Sequence, residues 1–207
     1  MIRFLCVAIG YFCGSFLTAD VVARCKTGRS AFSVGSGNPG MANIGQTFGV
    51  KWAAVTLLGD VLKTAIPCLL CRFVLFPSLG GVAILYAGVG AALGHGCPFW
   101  HRFKGGRSVA VSCTYIILFS PLIGAAVELA GFCAVALTGY LAVGTLLIPL
   151  LYLYPVFRFF GPEAGFVALA GAALTFLLNR DSLWRLLHKT EKKSSLFAIR
   201  KKGSGKN

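Results

Sequence analysis

The chain has 207 residues, 57% of them hydrophobic, with a mean hydropathy of +0.78 and a formal net charge of +14. Only 13% of its residues are charged, well below the roughly 25% usual for soluble domains. The composition excludes an ordinary soluble fold and indicates an all-α, polytopic membrane protein.

The first apolar run is read as a retained helix over Ile2 to Ala23, because no polar cleavage region follows it. Asp20 and Arg24 can pair near its end. Next comes VGSGNPGMANIGQTFG, residues 34–49, an uncharged Gly/Asn loop with basic residues on both sides. Gly35, Gly37 and Gly40 permit unusual backbone angles, and Ser36, Asn38 and Asn43 are good turn and anion partners. Such a loop can form a phosphate nest, or it can be a plain turn between helices.

A second helix is expected over Val50 to Phe76. Asp60 and Lys63 fall on one of its faces, one turn apart, inside apolar sequence. Charges at that depth face each other or a polar cavity. An outer turn, Pro77 to Gly81, leads to a third helix over Val82 to Leu93. The second polar loop follows, GHGCPFWHRFKGGRS, residues 94–108. Lys104, Gly105, Gly106 and Arg107 there can offer backbone N–H groups and two cations to a phosphate. His95 can titrate near neutral pH.

A fourth helix is expected over Val109 to Ala126, with an outer turn at Glu128. Residues 129–160 are nearly all apolar. As one helix they would measure about 48 Å, against a hydrocarbon core of about 30 Å. Two short helices with a break around Gly139 to Thr145 fit better. Arg158 and Glu163 bracket another outer turn, and a last helix runs from Ala164 to Leu178. About seven spans put the N-terminus outside and the C-terminus in the cytoplasm, which gathers the main basic clusters on one face. Residues 1–191 then form one membrane domain, and 192–207 a basic tail read as disordered and facing anionic lipid. Nucleic-acid binding is disfavoured, because the tail hangs from a membrane body. The eight cysteines lie mostly in apolar runs without zinc spacing, so neither a metal site nor a disulfide framework is expected.

The two polar loops and the start of the tail thus form a site for a phosphate-bearing substrate beside lipid. No Ser/His/Asp or Cys/His arrangement of a nucleophilic hydrolase is present.

These residues resemble a family, the PlsY-type bacterial glycerol-3-phosphate acyltransferases. Its motif GSGNxGATNxxR matches GSGNPGMANIGQ at 35–46, and its DxxKG matches DVLKT at 60–64. Its GHxFPxFxxFKGGKG matches residues 94–108, and HRxNIxRLxxGTE resembles NRDSLWRLLHKTE at 179–191. The resemblance implies seven helices in the bacterial inner membrane, with the active face cytoplasmic. It implies transfer of a fatty acyl group from acyl phosphate to glycerol 3-phosphate, giving lysophosphatidic acid, with no cofactor. By the same resemblance Ser36, Asn38, Lys104 and Arg107 are catalytic. Gly35, Gly37, Asn43, Lys63, Gly105, Gly106 and Arg180 bind phosphate, and Asp60, His95 and Ser182 support them. A substrate phosphate would itself take the hydroxyl proton. Ala42, Gln46, Ala142, Asn179 and Ser182 stand where the family carries other polar residues. A binder without turnover, an enzyme with another acceptor or donor, and a small transporter are the alternatives.

Overall fold

The structure is a computed structural model and describes residues 1–191 and Lys193. Apart from Lys193, the expected basic tail lies outside the described residues. The described chain is helical: α1 (Ile2–Gly14), α2 (Thr18–Thr27), α3 (Met41–Phe48), α4 (Val50–Leu70), α5 (Val82–Gly96), α6 (Val109–Phe119), α7 (Pro121–Thr138), α8 (Leu141–Leu178) and α9 (Arg180–Leu187). Among the described residues, five helical stretches are long and apolar enough to cross a membrane: 2–27, 50–75, 82–101, 121–138 and 141–178. The shorter apolar α6 lies between the third and fourth.

Several boundaries depart from the sequence expectation, each for a physical reason. The first helix is broken: α1 ends at Gly14 and α2 begins at Thr18. The break frees two carbonyls, and both are used at once. Phe16 O accepts from Lys63 Nζ at 2.7 Å, and Ser15 O accepts from Trp100 Nε1 at 3.0 Å. Irregular backbone at membrane depth is tolerated where the protein re-satisfies it. The expected turn at Glu128 is absent. The chain breaks earlier, at Ser120, where Pro121 opens α7, and Glu128 lies inside that helix. Proline suits this first position because its missing N–H would have no helical partner anyway. The expected break after Gly139 is present; this glycine closes α7 with a left-handed φ of 80°. Long α8 is itself two helices. Gly161 has φ 86° and ψ 175°, and Pro162 follows it, so the residue before proline leaves the helical region. The turn expected between Arg158 and Glu163 is this kink.

The centre of the bundle is α5. Ala83, Leu85, Ala87 and Ala91 on it are fully buried. It meets α1 along a reciprocal small-residue seam. A Cβ at Gly10 or Gly14 would overlap the carbonyls of Ala87 or Ala91. A Cβ at Gly90 or Gly94 would overlap the carbonyls of Val7 or Tyr11. Close backbone approach of this kind holds helices together in lipid, where there is little hydrophobic drive between them. At one end of the seam, Arg3 grips Glu163 through Nε at 2.7 Å and Nη2 at 3.1 Å, and Tyr86 OH donates to the same carboxylate at 3.2 Å. By contrast α7 sits at the rim. Leu122, Leu129, Phe132 and Leu137 on it are exposed, as lipid-facing side chains should be.

The seam generates a direct expectation. Gly90→Val should lower stability by about 1–3 kcal/mol or more, because the added atoms meet backbone that cannot swing away. Ala130→Val on α7 should leave melting in detergent unchanged. Equal melting of both variants and wild type would show that the seam is not tightly packed.

Candidate active site

The two polar loops come together at the α5 end of the bundle. The Gly/Asn loop is organised by one side chain, Asn43 at the start of α3. Its Nδ2 donates to Val34 O at 3.0 Å and to Ala31 O at 3.3 Å, and its Oδ1 accepts from Ser36 N at 2.7 Å. Gly35, at φ 55°, must be glycine, because a Cβ there would overlap Asn43 Oδ1. The N–H of Gly37 closes a turn on Val34 O at 3.0 Å. Thus Asn43 and the N–H groups of Ser36 and Gly37, expected to meet phosphate, instead build the loop. Ser36 is exposed, and Asn38 faces inward. The stretch expected to be loop throughout also contains α3.

The second loop folds back onto the end of α5. The N–H of Gly106 donates to His95 O at 3.0 Å, and a Cβ at Gly105 would overlap the same carbonyl. These glycines serve close packing, and the Gly106 N–H is engaged by protein. Ser108 Oγ donates to Ala92 O at 2.7 Å, and Asn179 Nδ2 donates to Arg107 O at 3.2 Å. Both fix the backbone at Arg107 and Ser108. Lys104 lies on the exposed part of the turn.

Beneath the loops is a buried polar knot. Lys63 Nζ lies 2.7 Å from Asp60 Oδ1, 2.7 Å from His95 Nδ1 and 2.7 Å from Phe16 O. The ammonium donates to Phe16 O and His95 Nδ1 and is ion-paired with Asp60, whose buried Oδ1 has no well-aligned hydrogen bond among the described residues. The Lys63 and Asp60 side chains are only 5% and 4% exposed. His95 Nδ1 must accept, which leaves the ring proton on Nε2. Lys63, expected to bind phosphate, instead donates to Phe16 O and His95 Nδ1 and pairs with Asp60.

A cavity of about 550 Å³ opens above this knot. Its polar end is lined by Asn38, Asp60, His95, Arg107, Ser108 and Asn179. Its remaining wall is mostly apolar and follows α4, α6 and the start of α8, with Leu57, Val61, Val109, Ile117 and Leu118 among its residues. Of the residues lining it, Arg107 alone is cationic. Burial, the largest influence, pulls this guanidinium below its ordinary pKa, yet a guanidinium remains charged in any protein setting. Arg180 is outside, its side chain 79% exposed beside Asp181. Ser182 is buried and accepts from Arg185 Nη2 at 2.9 Å, and Arg185 pairs with Glu191 at 2.6 Å. It therefore braces α9. Among the described residues no group of three or more His, Cys, Asp or Glu could hold a metal.

Sequence reasoning missed three parts of this wall. Ser108 was read only as the end of a motif. Asn179 was read as a departure, but it lines the cavity and holds Arg107. Glu128 was read as a turn; an acid in an otherwise uncharged apolar run was the signal to read it as lining a cavity.

A cavity with one fixed cation, several hydrogen-bonding groups and a long apolar arm suits an anionic headgroup joined to, or reacting with, a hydrocarbon chain. Comparisons with known proteins agree. The sequence pattern of the glycerol-3-phosphate acyltransferase family matches residues 4–189. Glycerol-3-phosphate acyltransferase 1 of Lactobacillus johnsonii is 34% identical over 98% of this chain and 98% of its own. Glycerol-3-phosphate acyltransferase 1 of Lactobacillus acidophilus is 40% identical over 81% of this chain and 80% of its own. The crystal structure of PlsY, an integral membrane glycerol 3-phosphate acyltransferase, in its glycerol 3-phosphate form superposes with a TM-score of 0.82 at 26% identity. The match covers 92% of this chain and 94% of that one.

The Asn43 scaffold is open to test. Asn43→Ala leaves buried carbonyl and N–H groups unpaired and should cost about 1–3 kcal/mol. Trypsin should then cut faster at Arg29, beside the loosened loop. Unchanged melting and unchanged cleavage would show that the loop holds without it.

Proposed function

The chain belongs to the glycerol-3-phosphate acyltransferase family, and from that premise we propose how its cavity performs the reaction. The enzyme transfers an acyl group to glycerol 3-phosphate, giving lysophosphatidic acid. The donor in this reading is an acyl phosphate, a mixed anhydride whose leaving group departs without a strong protein base. The observation that carries the reading is Arg107, the cavity's cation, held at the junction of a polar pocket and an apolar arm.

Arg107 takes the phosphate oxygens and holds the charge that develops as the anhydride opens. Lys104, on the same turn, supplies a second cation from the exposed side. Ser36 and Asn38 of the Gly/Asn loop and Asn179 of the opposite wall orient the polar groups. Asp60 and His95 form the polar floor, kept in place by Lys63. A substrate phosphate receives the proton of the attacking hydroxyl. The acyl chain lies along α6 and enters from the bilayer. Ala42 and Ala142 line the cavity with methyl groups where the family has hydroxyls. Positioning therefore rests on fewer side chains here, and holding two reactants together remains the main source of rate.

In this reading the membrane is crossed about seven times, with α6 as a short pass and α8 as two passes joined at Gly161. The polar loops and α9 then face the cytoplasm, where the basic residues meet anionic lipid. The membrane is the bacterial inner membrane. Residues 1–191 act as one catalytic domain.

Purified protein given glycerol 3-phosphate and palmitoyl phosphate should release lysophosphatidic acid. Arg107→Ala should lower kcat/KM by about 100-fold or more while melting stays near wild type, and Arg107→Lys should recover part of the loss. Turnover by Arg107→Ala within about threefold of wild type would remove Arg107 from the mechanism.

A further inference from the structure

We propose that Glu128 makes this enzyme select acyl chains that carry a hydroxyl along their length. The inference rests on the acyl-phosphate reading above, and it concerns the apolar arm of the same cavity.

Three observations support it. Glu128 sits on α7, a helix long and apolar enough to span the membrane, and is one of the residues lining the cavity. Its Oε1 is buried and has no hydrogen-bond partner among the described residues. Its neighbour across the gap is the Cys113 thiol on α6, a weak donor at best. Cys113 is about one helical turn along α6 beyond Val109, which places Glu128 beside the α6 wall of the arm.

An ionisable group inside a membrane span is costly and marks a functional position by default. What passes this one is the hydrocarbon of the acyl donor. A plain chain offers it nothing. It leaves the carboxyl desolvated and without a donor, which disfavours binding. A chain hydroxyl satisfies it in either protonation state, by donating to a carboxylate or by accepting from a carboxylic acid. Sites built to bond a substrate hydroxyl reject analogues that lack it far more strongly than apolar pockets reject an added methylene. The recognised class is therefore a hydroxyacyl phosphate, with the hydroxyl set by its distance from the reacting carbonyl.

The test is a donor competition. Wild type, Glu128→Gln and Glu128→Leu receive glycerol 3-phosphate with equal amounts of palmitoyl phosphate and one hydroxypalmitoyl phosphate. The hydroxyl position is walked along the chain, and the two lysophosphatidic acids are quantified by mass spectrometry. The expected result is a preference of about tenfold or more for the hydroxylated donor at one stretch of the chain in wild type. Glu128→Gln, which keeps a hydrogen-bonding carbonyl, should retain part of it, and Glu128→Leu should favour the plain chain. A plain-chain preference at every position in wild type would overturn the proposal, as would a hydroxyl preference that survives in Glu128→Leu. If no donor yields product, the acyl-phosphate reading fails separately. The same donors are then compared by thermal stabilisation. A hydroxyl-dependent shift in wild type that is lost in Glu128→Leu supports the proposal, and equal shifts overturn it.

Discussion

The structure turns on one ammonium. Lys63 sits at membrane depth and reaches three acceptors at 2.7 Å: a carboxylate on α4, an imidazole on α5 and the carbonyl freed by the break between α1 and α2. In hydrocarbon each of these groups would be costly alone. Together they fix the position of three segments. The broken first helix, which looks like a defect, supplies the third acceptor. The knot also presents Asp60 and His95 to the cavity as a floor, both held by the Lys63 ammonium.

Around this knot the polar loops divide their work differently from what their composition suggests. Most of the glycine and asparagine chemistry goes into holding backbone. Asn43 ties the first loop to itself, and Gly105 and Gly106 let the second loop lie on the end of α5. Asn179 and Ser108 steady the chain around Arg107. Few side chains are left to meet substrate, and they are concentrated where the polar end of the cavity becomes apolar. That economy suits a reaction in which the donor is already activated and the protein's task is orientation and charge stabilisation.

Much of this was legible in the sequence. Helical periodicity placed Asp60 and Lys63 on one face, and the length of the 129–160 run required a break near Gly139. The Arg158–Glu163 turn and the meeting of the two loops also followed. The motifs at 35–46, 60–64 and 94–108 carried the family resemblance. What was not legible depends on tertiary partners. Nothing local in residues 2–23 announces a break whose reason is a lysine 47 residues away. Asn43 reads as a ligand or a scaffold from the same chemistry, and only its three bonds decide. Glu128 was assigned to a turn because an acid in apolar sequence usually marks one, and the other meaning of that signal, a carboxyl beside a cavity, depends on which helices pack behind α7.

The central claim is that Lys63 is a pin and not a phosphate ligand, and substitution to methionine separates the two. Lys63→Met leaves Asp60 buried without its cation and should cost about 3–5 kcal/mol. Melting in detergent should fall clearly, and pairing it with Asp60→Asn should restore much of the loss. The contradicting result is a Lys63→Met enzyme that melts with wild type and shows only a raised KM for glycerol 3-phosphate, which would place the ammonium on the substrate.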